Sequence, residues 1–343
     1  YTGDDIAADG VGGPICGWVP TNRDGSAPKE PPHPLLARSK VRYVGDHIAV
    51  VIAESLEQAR SAAEKITIDL DVLPPVVDLS TAIGNTQIHD EMDDNVYFDW
   101  ELGDESATAS ALESAAKIVE LTVTNNRVIP NAMEPRAAVA EYDETNESYT
   151  LYTTSQNPHL TRLVMAAFMM QIPESKLHVV APDVGGGFGS KIYIYPEEAV
   201  CTWATKKLRR PIKWTADRSE AFLGDAHGRD HVNKVKIGLD QDNKIVGLRV
   251  DTLANLGAYL SAFSMVTPTY LHGTLLSGCY NIPAIYTNVK GVCTTTVNVD
   301  AYRGAGRPEA TYLLERTMDY AARQVGMDPA EFRRINFIPK DAF

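Results

Sequence analysis

Residues 183–191, Asp-Val-Gly-Gly-Gly-Phe-Gly-Ser-Lys, crowd four glycines around one phenylalanine directly after the apolar run Leu177-His178-Val179-Val180-Ala181. The run reads as a buried strand. Glycine at this density lets backbone amides turn toward, and closely approach, something that a Cβ would exclude. A strand-end loop pressed against a cofactor or substrate is one reading, and an ordinary surface loop is the other. Nucleotide-phosphate spacings are not met. In the pattern G-x-G-x-x-G, Gly185 and Gly187 supply the first pair but Ser190 stands at the third place, and Lys191 is followed by Ile192 where a P-loop needs Ser or Thr. A second glycine-rich stretch, Ala301-Tyr302-Arg303-Gly304-Ala305-Gly306-Arg307-Pro308-Glu309-Ala310, breaks the dinucleotide pattern as well.

A chain of 343 residues can bury a sizeable core and more readily forms two domains than one. Its formal charge of −13 disfavours a nucleic-acid or anionic-membrane surface, both of which reward basic patches. Cys16, Cys201, Cys279 and Cys293 are widely spaced without a C-x-x-C pair, giving neither an iron–sulfur nor a zinc signature. Such thiols fit a reducing, cytoplasmic compartment. No apolar run is long enough for a membrane span; the strongest covers only 164–170. His159, His227 and His231 fall in no H-E-x-x-H pattern and are expected to be structural or surface groups. Opening on Tyr1, the sequence reads as a processed or excerpted chain.

Along the chain, residues 1–39 are rich in Gly, Pro and charge and read as surface loop. A strand is expected over 47–53, then a short helix capped by Ser55 and Gln58, then an alternating half-buried strand over 66–72 ended by Pro74-Pro75. The acidic, weakly periodic stretch 83–112 reads as a linker, and 115–125 as a strand. A hairpin is expected from 137–142 and 148–154, followed by a helix capped by Asn157 and opened by Pro158, with Leu160, Leu163, Val164, Ala167 and Phe168 as its apolar face. Gln156 is thereby left at the mouth of a strand-to-helix turn. Pro196-Glu197-Glu198 opens a helix whose basic residues, Lys206 to Arg210, lie at its far end, the favourable order for the macrodipole. Another hairpin spans 232–251, a helix 311–325 stops at Gly326, and Asp328 caps a last one. Strands and helices intermix without a regular repeat, so the class is α+β.

Three separated stretches together resemble the molybdenum hydroxylases, the group of xanthine dehydrogenase, aldehyde oxidase and carbon monoxide dehydrogenase: Ser155-Gln156-Asn157-Pro158-His159, the run Gly185 to Lys191, and the run Ala301 to Glu309. Met133-Glu134-Pro135-Arg136, Thr215-Ala216-Asp217-Arg218-Ser219-Glu220 and Leu73-Pro74-Pro75-Val76-Val77-Asp78 add support, and the likeness covers nearly the whole chain. The resemblance implies an α/β hammerhead domain over 1–82 that lacks its N-terminal strands, a linker over 83–112, and the first half of the molybdopterin-binding domain over 113–343. It also implies a molybdenum–molybdopterin cofactor, in the cytosine dinucleotide form usual in bacterial members, with the metal held by the pterin and by no side chain.

Carried over by position, Gln156 and Arg303 are the implied catalytic residues, and Gln156, Gly187, Phe188, Gly189, Arg303, Gly304 and Ala305 are the implied cofactor-binding set. Phe188 and Gly189 are expected to bring a backbone amide toward the metal's ligands. The chemistry suits these residue types. A buried oxo group needs donors without protons to lose, which an amide side chain and backbone N–H groups supply, and arginine is the planar donor for an anionic cofactor. The family's general base is a glutamate in a later glycine-rich motif, which is absent from this sequence. Water-derived hydroxylation is therefore expected only together with a C-terminal half of the large subunit, an iron–sulfur small subunit and an FAD-binding medium subunit. Gly304 stands where copper-dependent CO oxidisers carry a cysteine, and Ile192 and Ala305 where purine oxidisers carry a glutamate and a phenylalanine. An aldehyde or another N-heterocycle is thus the expected substrate; the alternative is a non-catalytic scaffold that keeps the fold without cofactor.

Overall fold

A computed structural model describes residues 1–342. In chain order its elements are α1 (Gly3–Ala8), α2 (Leu56–Ala63), β1 (Val96–Gly103), α3 (Glu105–Glu113), β2 (Lys117–Asn125), β3 (Ala137–Asp143), β4 (Ser148–Thr153), α4 (Pro158–Val164), β5 (Leu177–Val180), α5 (Pro196–Leu208), β6 (Ile212–Thr215), α6 (Arg218–Gly224), β7 (His231–Leu239), β8 (Ile245–Gly257), α7 (Tyr270–Gly273), β9 (Ile285–Cys293), α8 (Arg307–Gln324) and α9 (Pro329–Asn336). They build two mixed sheets, β1-β9-β8-β7-β2 and β5-β4-β3-β6, the α+β arrangement expected from the pattern. In the larger sheet β7 and β8 form the hairpin, while β9 returns parallel to β8. In the smaller one β5 runs parallel to β4 after the excursion through α4.

Each sheet buries one long helix. Leu314, Met318 and Ala321 of α8 lie three or four positions apart and, with Leu313 beside them, form one face, which packs on Val235, Ile237, Leu248 and Val250 of the larger sheet. On the smaller sheet Ala199, Val200, Trp203 and Ala204 of α5 meet Ala138, Ala140 and Leu151. Helix α8 begins at Arg307, earlier than 311, because Pro308 suits a first helical turn and Gly306, at φ +80°, supplies the break before it.

Several expectations are corrected. Helix α2 has the capping box of Ser55 and Gln58 but no strands flank it. Around 47–53 the ladder is reduced to a single bridge between Thr2 and Ala49, and 67–75 make no backbone hydrogen bond among the described residues. Ile66, Ile68, Leu70 and Val72 stand 43%, 48%, 57% and 92% exposed. Alternation reports a capacity to pair, and here no neighbouring strand answers it. The stretch 83–112, expected as linker, contributes strand β1 and helix α3. The short apolar burst Tyr97-Phe98-Asp99-Trp100 was hidden among acidic residues, and its aromatic side chains are buried against β9. Residues 1–39 are not all surface either, since Ile6, Leu35 and Leu36 enter the core of the smaller sheet. After α4 a π-helical turn, Met165–Met169, shifts the buried face to Met165, Ala166 and Met169 and leaves Leu163 and Phe168 exposed.

Candidate cofactor site

Strand β4 delivers the chain to Ser155, whose hydroxyl accepts the Asn157 N–H at 3.0 Å and meets Thr161 Oγ1 at 3.1 Å; Asn157 then caps α4 by accepting from Leu160 N. This turn points Gln156 at the glycine loop. Gln156 N donates to Lys191 O at 2.8 Å, and Gly189 N donates to Gln156 Oε1 at 2.9 Å. A backbone N–H can only donate, so the amide oxygen must be the atom facing Gly189, and Nε2 is turned outward as a donor. It makes no hydrogen bond among the described residues.

The glycines are required by this closeness. A Cβ on Gly187 would collide with Gln156 Oε1, and one on Gly189, where φ is +109°, would collide with Ala301 O. Phe188 takes the left-handed conformation at φ +53° and leaves its ring exposed. Its carbonyl accepts from Arg303 N at 2.9 Å, which ties the glycine loop to the third loop. The Arg303 guanidinium lies 5.8 Å from the Phe188 ring centroid and has no ion pair or hydrogen bond among the described residues. Gly304, Ala305 and Gly306 follow with φ of +103°, +39° and +80°, a run of left-handed residues that turns the chain into α8.

Gln156, Phe188 and Arg303 thus stand exposed on three loops that are joined by direct hydrogen bonds and open there to solvent, with Gly187 and Gly189 as bare backbone between them. One detail differs from the expectation. Of the two amides at Phe188 and Gly189, that of Gly189 is spent on Gln156, and the unpaired one among the described residues is Phe188 N–H. Gly304 is exposed beside the guanidinium, whereas Ala305 and Ile192 pack against the apolar group of Tyr193, Tyr195, Ala226, Ala262 and Ala301.

Supporting residues escaped the sequence reading. Glu134 Oε2 accepts from Gly185 N at 2.7 Å and from the buried Lys191 Nζ at 2.8 Å. Burial raises the Glu134 carboxyl, but Lys191 and the Gly185 amide outweigh it and hold it below its ordinary value. At the foot of the third loop the buried Asp300 accepts from Ala301 N at 2.6 Å, Phe263 N at 2.9 Å and the Ser261 hydroxyl. Burial nevertheless pushes its carboxyl up to about 6. A carboxyl raised on folding favours the folded state while it keeps its proton, so this contribution is full below about pH 4 and is lost as the pH rises through about 6. Asp300→Asn is expected to flatten that part of the stability curve by roughly 3 kcal/mol. Thermal midpoints at pH 4 and pH 7 check it, and an equal drop in both proteins would refute it.

Arg136 anchors the ground beneath the site. Its guanidinium donates through Nε to Asp225 Oδ1 at 2.7 Å and through Nη2 to Glu197 Oε1 at 2.8 Å, and it lies 3.6 Å from the Tyr195 ring centroid. His47 Nε2 stands 3.3 Å from the same Glu197 oxygen. Burial raises Glu197, but Arg136 and then His47 outweigh it and hold it far below the carboxylate range, while burial wins at Asp225 and raises it. The two carboxylates differ because Glu197 receives Arg136 Nη1 and Nη2 and faces the imidazole, and Asp225 receives only Nε. Of the acids at the start of α5, Glu197 therefore serves a buried ion pair, while Glu198 accepts from the Thr153 hydroxyl and from Tyr195 N.

The fold is that of a molybdopterin-binding polypeptide. Residues 88–337 match the molybdopterin cofactor-binding domain, and residues 5–74 match the a/b hammerhead domain of aldehyde oxidase and xanthine dehydrogenase. The chain belongs to the molybdenum hydroxylase family, as part of its molybdopterin-binding subunit. It is 36% identical to the carbon monoxide dehydrogenase large chain of Hydrogenophaga pseudoflava over 95% of its own length, and 32% identical to the nicotine 6-hydroxylase large subunit of Paenarthrobacter nicotinovorans over 89%. It spans 42% and 38% of the lengths of those two relatives. The crystal structure of quinoline 2-oxidoreductase from Pseudomonas putida 86 superposes with a TM-score of 0.91 at 31% identity, covering 100% of this chain and 43% of that one. Among the described residues no helix is long and apolar enough to cross a membrane.

Proposed function

We propose that this chain forms the cofactor-facing wall of a cytoplasmic enzyme that hydroxylates an aldehyde or an N-heterocyclic carbon with oxygen taken from water. The observation that carries this reading is that three loops hydrogen-bonded to one another, at Gly189–Gln156 and Arg303–Phe188, carry three donors without protein partners among the described residues: Gln156 Nε2, Phe188 N–H and the Arg303 guanidinium. That donor set fits a molybdenum–molybdopterin group, whose oxo ligand and phosphate oxygens are acceptors, and the lack of a Cβ at Gly187 and Gly189 lets Gln156 and the third loop pack directly on the glycine loop. When bound, the cofactor, in cytosine dinucleotide form, supplies two-electron redox chemistry that no side chain can.

The residues of the chain bind and orient. Gln156, locked by the Gly189 N–H, presents a donor that keeps its proton. Phe188 N–H donates from a backbone whose carbonyl is itself tied to Arg303, so the donor is preorganised. Arg303 sets positive charge where negative charge develops. Glu134 is paired with Lys191, and Glu309 is paired with Arg229 and buried at 1% exposure where a substrate does not reach it, so proton removal falls to a C-terminal half of the large subunit. Electrons leave through an iron–sulfur small subunit and an FAD-binding medium subunit. Gly304 offers no thiol for copper and Ile192 no carboxylate for a purine, which favours the aldehyde or N-heterocycle over CO, the relationship to a carbon monoxide dehydrogenase notwithstanding.

In the assembled enzyme, Arg303→Ala and Gln156→Ala are each expected to lower kcat at least tenfold, on the order of the loss of one preorganised donor. Neither side chain is buried, so the thermal midpoint should move by no more than about 2 °C. Turnover equal to the parent enzyme in both variants would remove the basis of this reading.

A further inference from the structure

We propose that Arg229 is a positioning residue that sets the aim of Arg303, with Glu309 as the buried counter-charge that holds Arg229 in place; this rests on the three loops being the cofactor site. Arg303 reaches the opening with only its side chain free. Its N–H is held by Phe188 O, and its carbonyl accepts from Arg229 Nη2 at 3.0 Å. The same guanidinium donates from Nη1 to the preceding carbonyl, Tyr302 O, at 2.9 Å, and lies 5.0 Å from the Tyr302 ring centroid. One planar fork therefore fixes two consecutive peptide units around the Arg303 Cα, a geometry that suits arginine and that an ammonium cannot reproduce. Gly228, next to Arg229, allows the approach, because a Cβ there would meet Tyr302 Cβ at 2.5 Å.

Arg229 is itself held at a cost. It and Asp230 both adopt left-handed backbone, φ +67° and +68°, which glycine would take without strain. Asp230 is kept there by Arg127 Nε at 2.7 Å and Asn255 Nδ2 at 3.0 Å. Strain retained at a non-glycine residue points to a need for its side chain. The charge of Arg229 is met by Glu309, 1% exposed in the first turn of α8, with Oε1 at 3.2 Å and Oε2 unpartnered. Glu309 thus joins the helix that the third loop opens to the residue that grips that loop.

The test is a double-mutant cycle in the whole assembled enzyme with Arg229→Gln, Arg303→Ala and the pair, read by turnover and by the electron paramagnetic resonance spectrum of the one-electron-reduced molybdenum. Arg229→Gln alone is expected to perturb the spectrum and to lower turnover roughly fivefold or more. In the Arg303→Ala background it should change neither, because it acts only through Arg303. Should Arg229→Gln fail to fold, Glu309→Gln, which removes the charge and keeps the volume, supplies the same cycle. Losses that multiply, or an Arg229→Gln enzyme with parental spectrum and turnover, would overturn the positioning role while leaving the site reading intact. An Arg303→Ala enzyme with parental spectrum and turnover would overturn the site reading and this role with it.

Discussion

Replacing Gly189 by alanine is expected to empty the assembled enzyme of molybdenum, by about tenfold or more per chain, while the two sheets stay folded. The new Cβ would point into the Ala301 carbonyl, with Ala301 C at 2.9 Å and Tyr302 Cα at 3.1 Å, all of it backbone that cannot swing aside. Left-handed backbone at φ +109° adds strain of about 1–3 kcal/mol. Relief requires the glycine loop and the third loop to separate, and that breaks both the Gly189–Gln156 and the Arg303–Phe188 hydrogen bonds. Gly84→Ala is the control. It also has positive φ, +74°, but nothing lies within 4 Å of its Cβ position, so it carries the strain alone. Elemental analysis of both proteins decides the matter, and a Gly189→Ala enzyme with full metal content would show that the two loops need not touch.

Arg136→Met is expected to cost about 3–5 kcal/mol of stability, because it leaves Glu197 and Asp225 buried without their cation. Pairing with Arg136 and His47 depresses Glu197, and a depressed carboxyl contributes stability that is present above its ordinary range and lost on acidification. The gap between parent and variant should therefore be widest near neutrality and narrow as the pH falls below about 4. Adding Glu197→Gln should recover part of the loss at neutral pH by removing one orphaned charge. Denaturant midpoints across this range measure both effects; a gap that widens toward acid would contradict the assigned pairing. His47 lies in the stretch matched to the hammerhead domain and Arg136 and Glu197 in the stretch matched to the cofactor-binding domain, so the cluster fastens one to the other.

What could be read from the sequence was whatever leaves a local mark. Left-handed backbone at Gly186, Gly189, Gly304 and Gly306 and close approach at Gly185 and Gly187 both select glycine, so these loops are visible as composition, and the caps at Ser55, Asn157 and Asp328 are visible as spacing. Pairs formed across the fold leave no such mark. Lys191–Glu134 and Arg229–Glu309 join residues 57 and 80 positions apart, and nothing near any of the four announces its partner. Strand β1 is hard to see in sequence because its short apolar burst sits among acids, and the π-helical turn because an extra residue per turn moves a face without changing its composition. The orientation of Gln156 needed the Gly189 N–H in view before oxygen and nitrogen could be told apart.

The stretch 66–72 carries a different consequence. Four aliphatic side chains alternate there with Thr67, Asp69 and Asp71, and over 67–72 the backbone donors and acceptors make no backbone hydrogen bond among the described residues. Any extended segment that meets it can add itself as a strand, and only the two aspartates, repelling their like across a new pairing, stand against self-association. In concentrated solutions of this polypeptide by itself, aggregation would begin at this unguarded stretch, far in sequence from the three glycine-bearing and capping loops, which would be the last to register it.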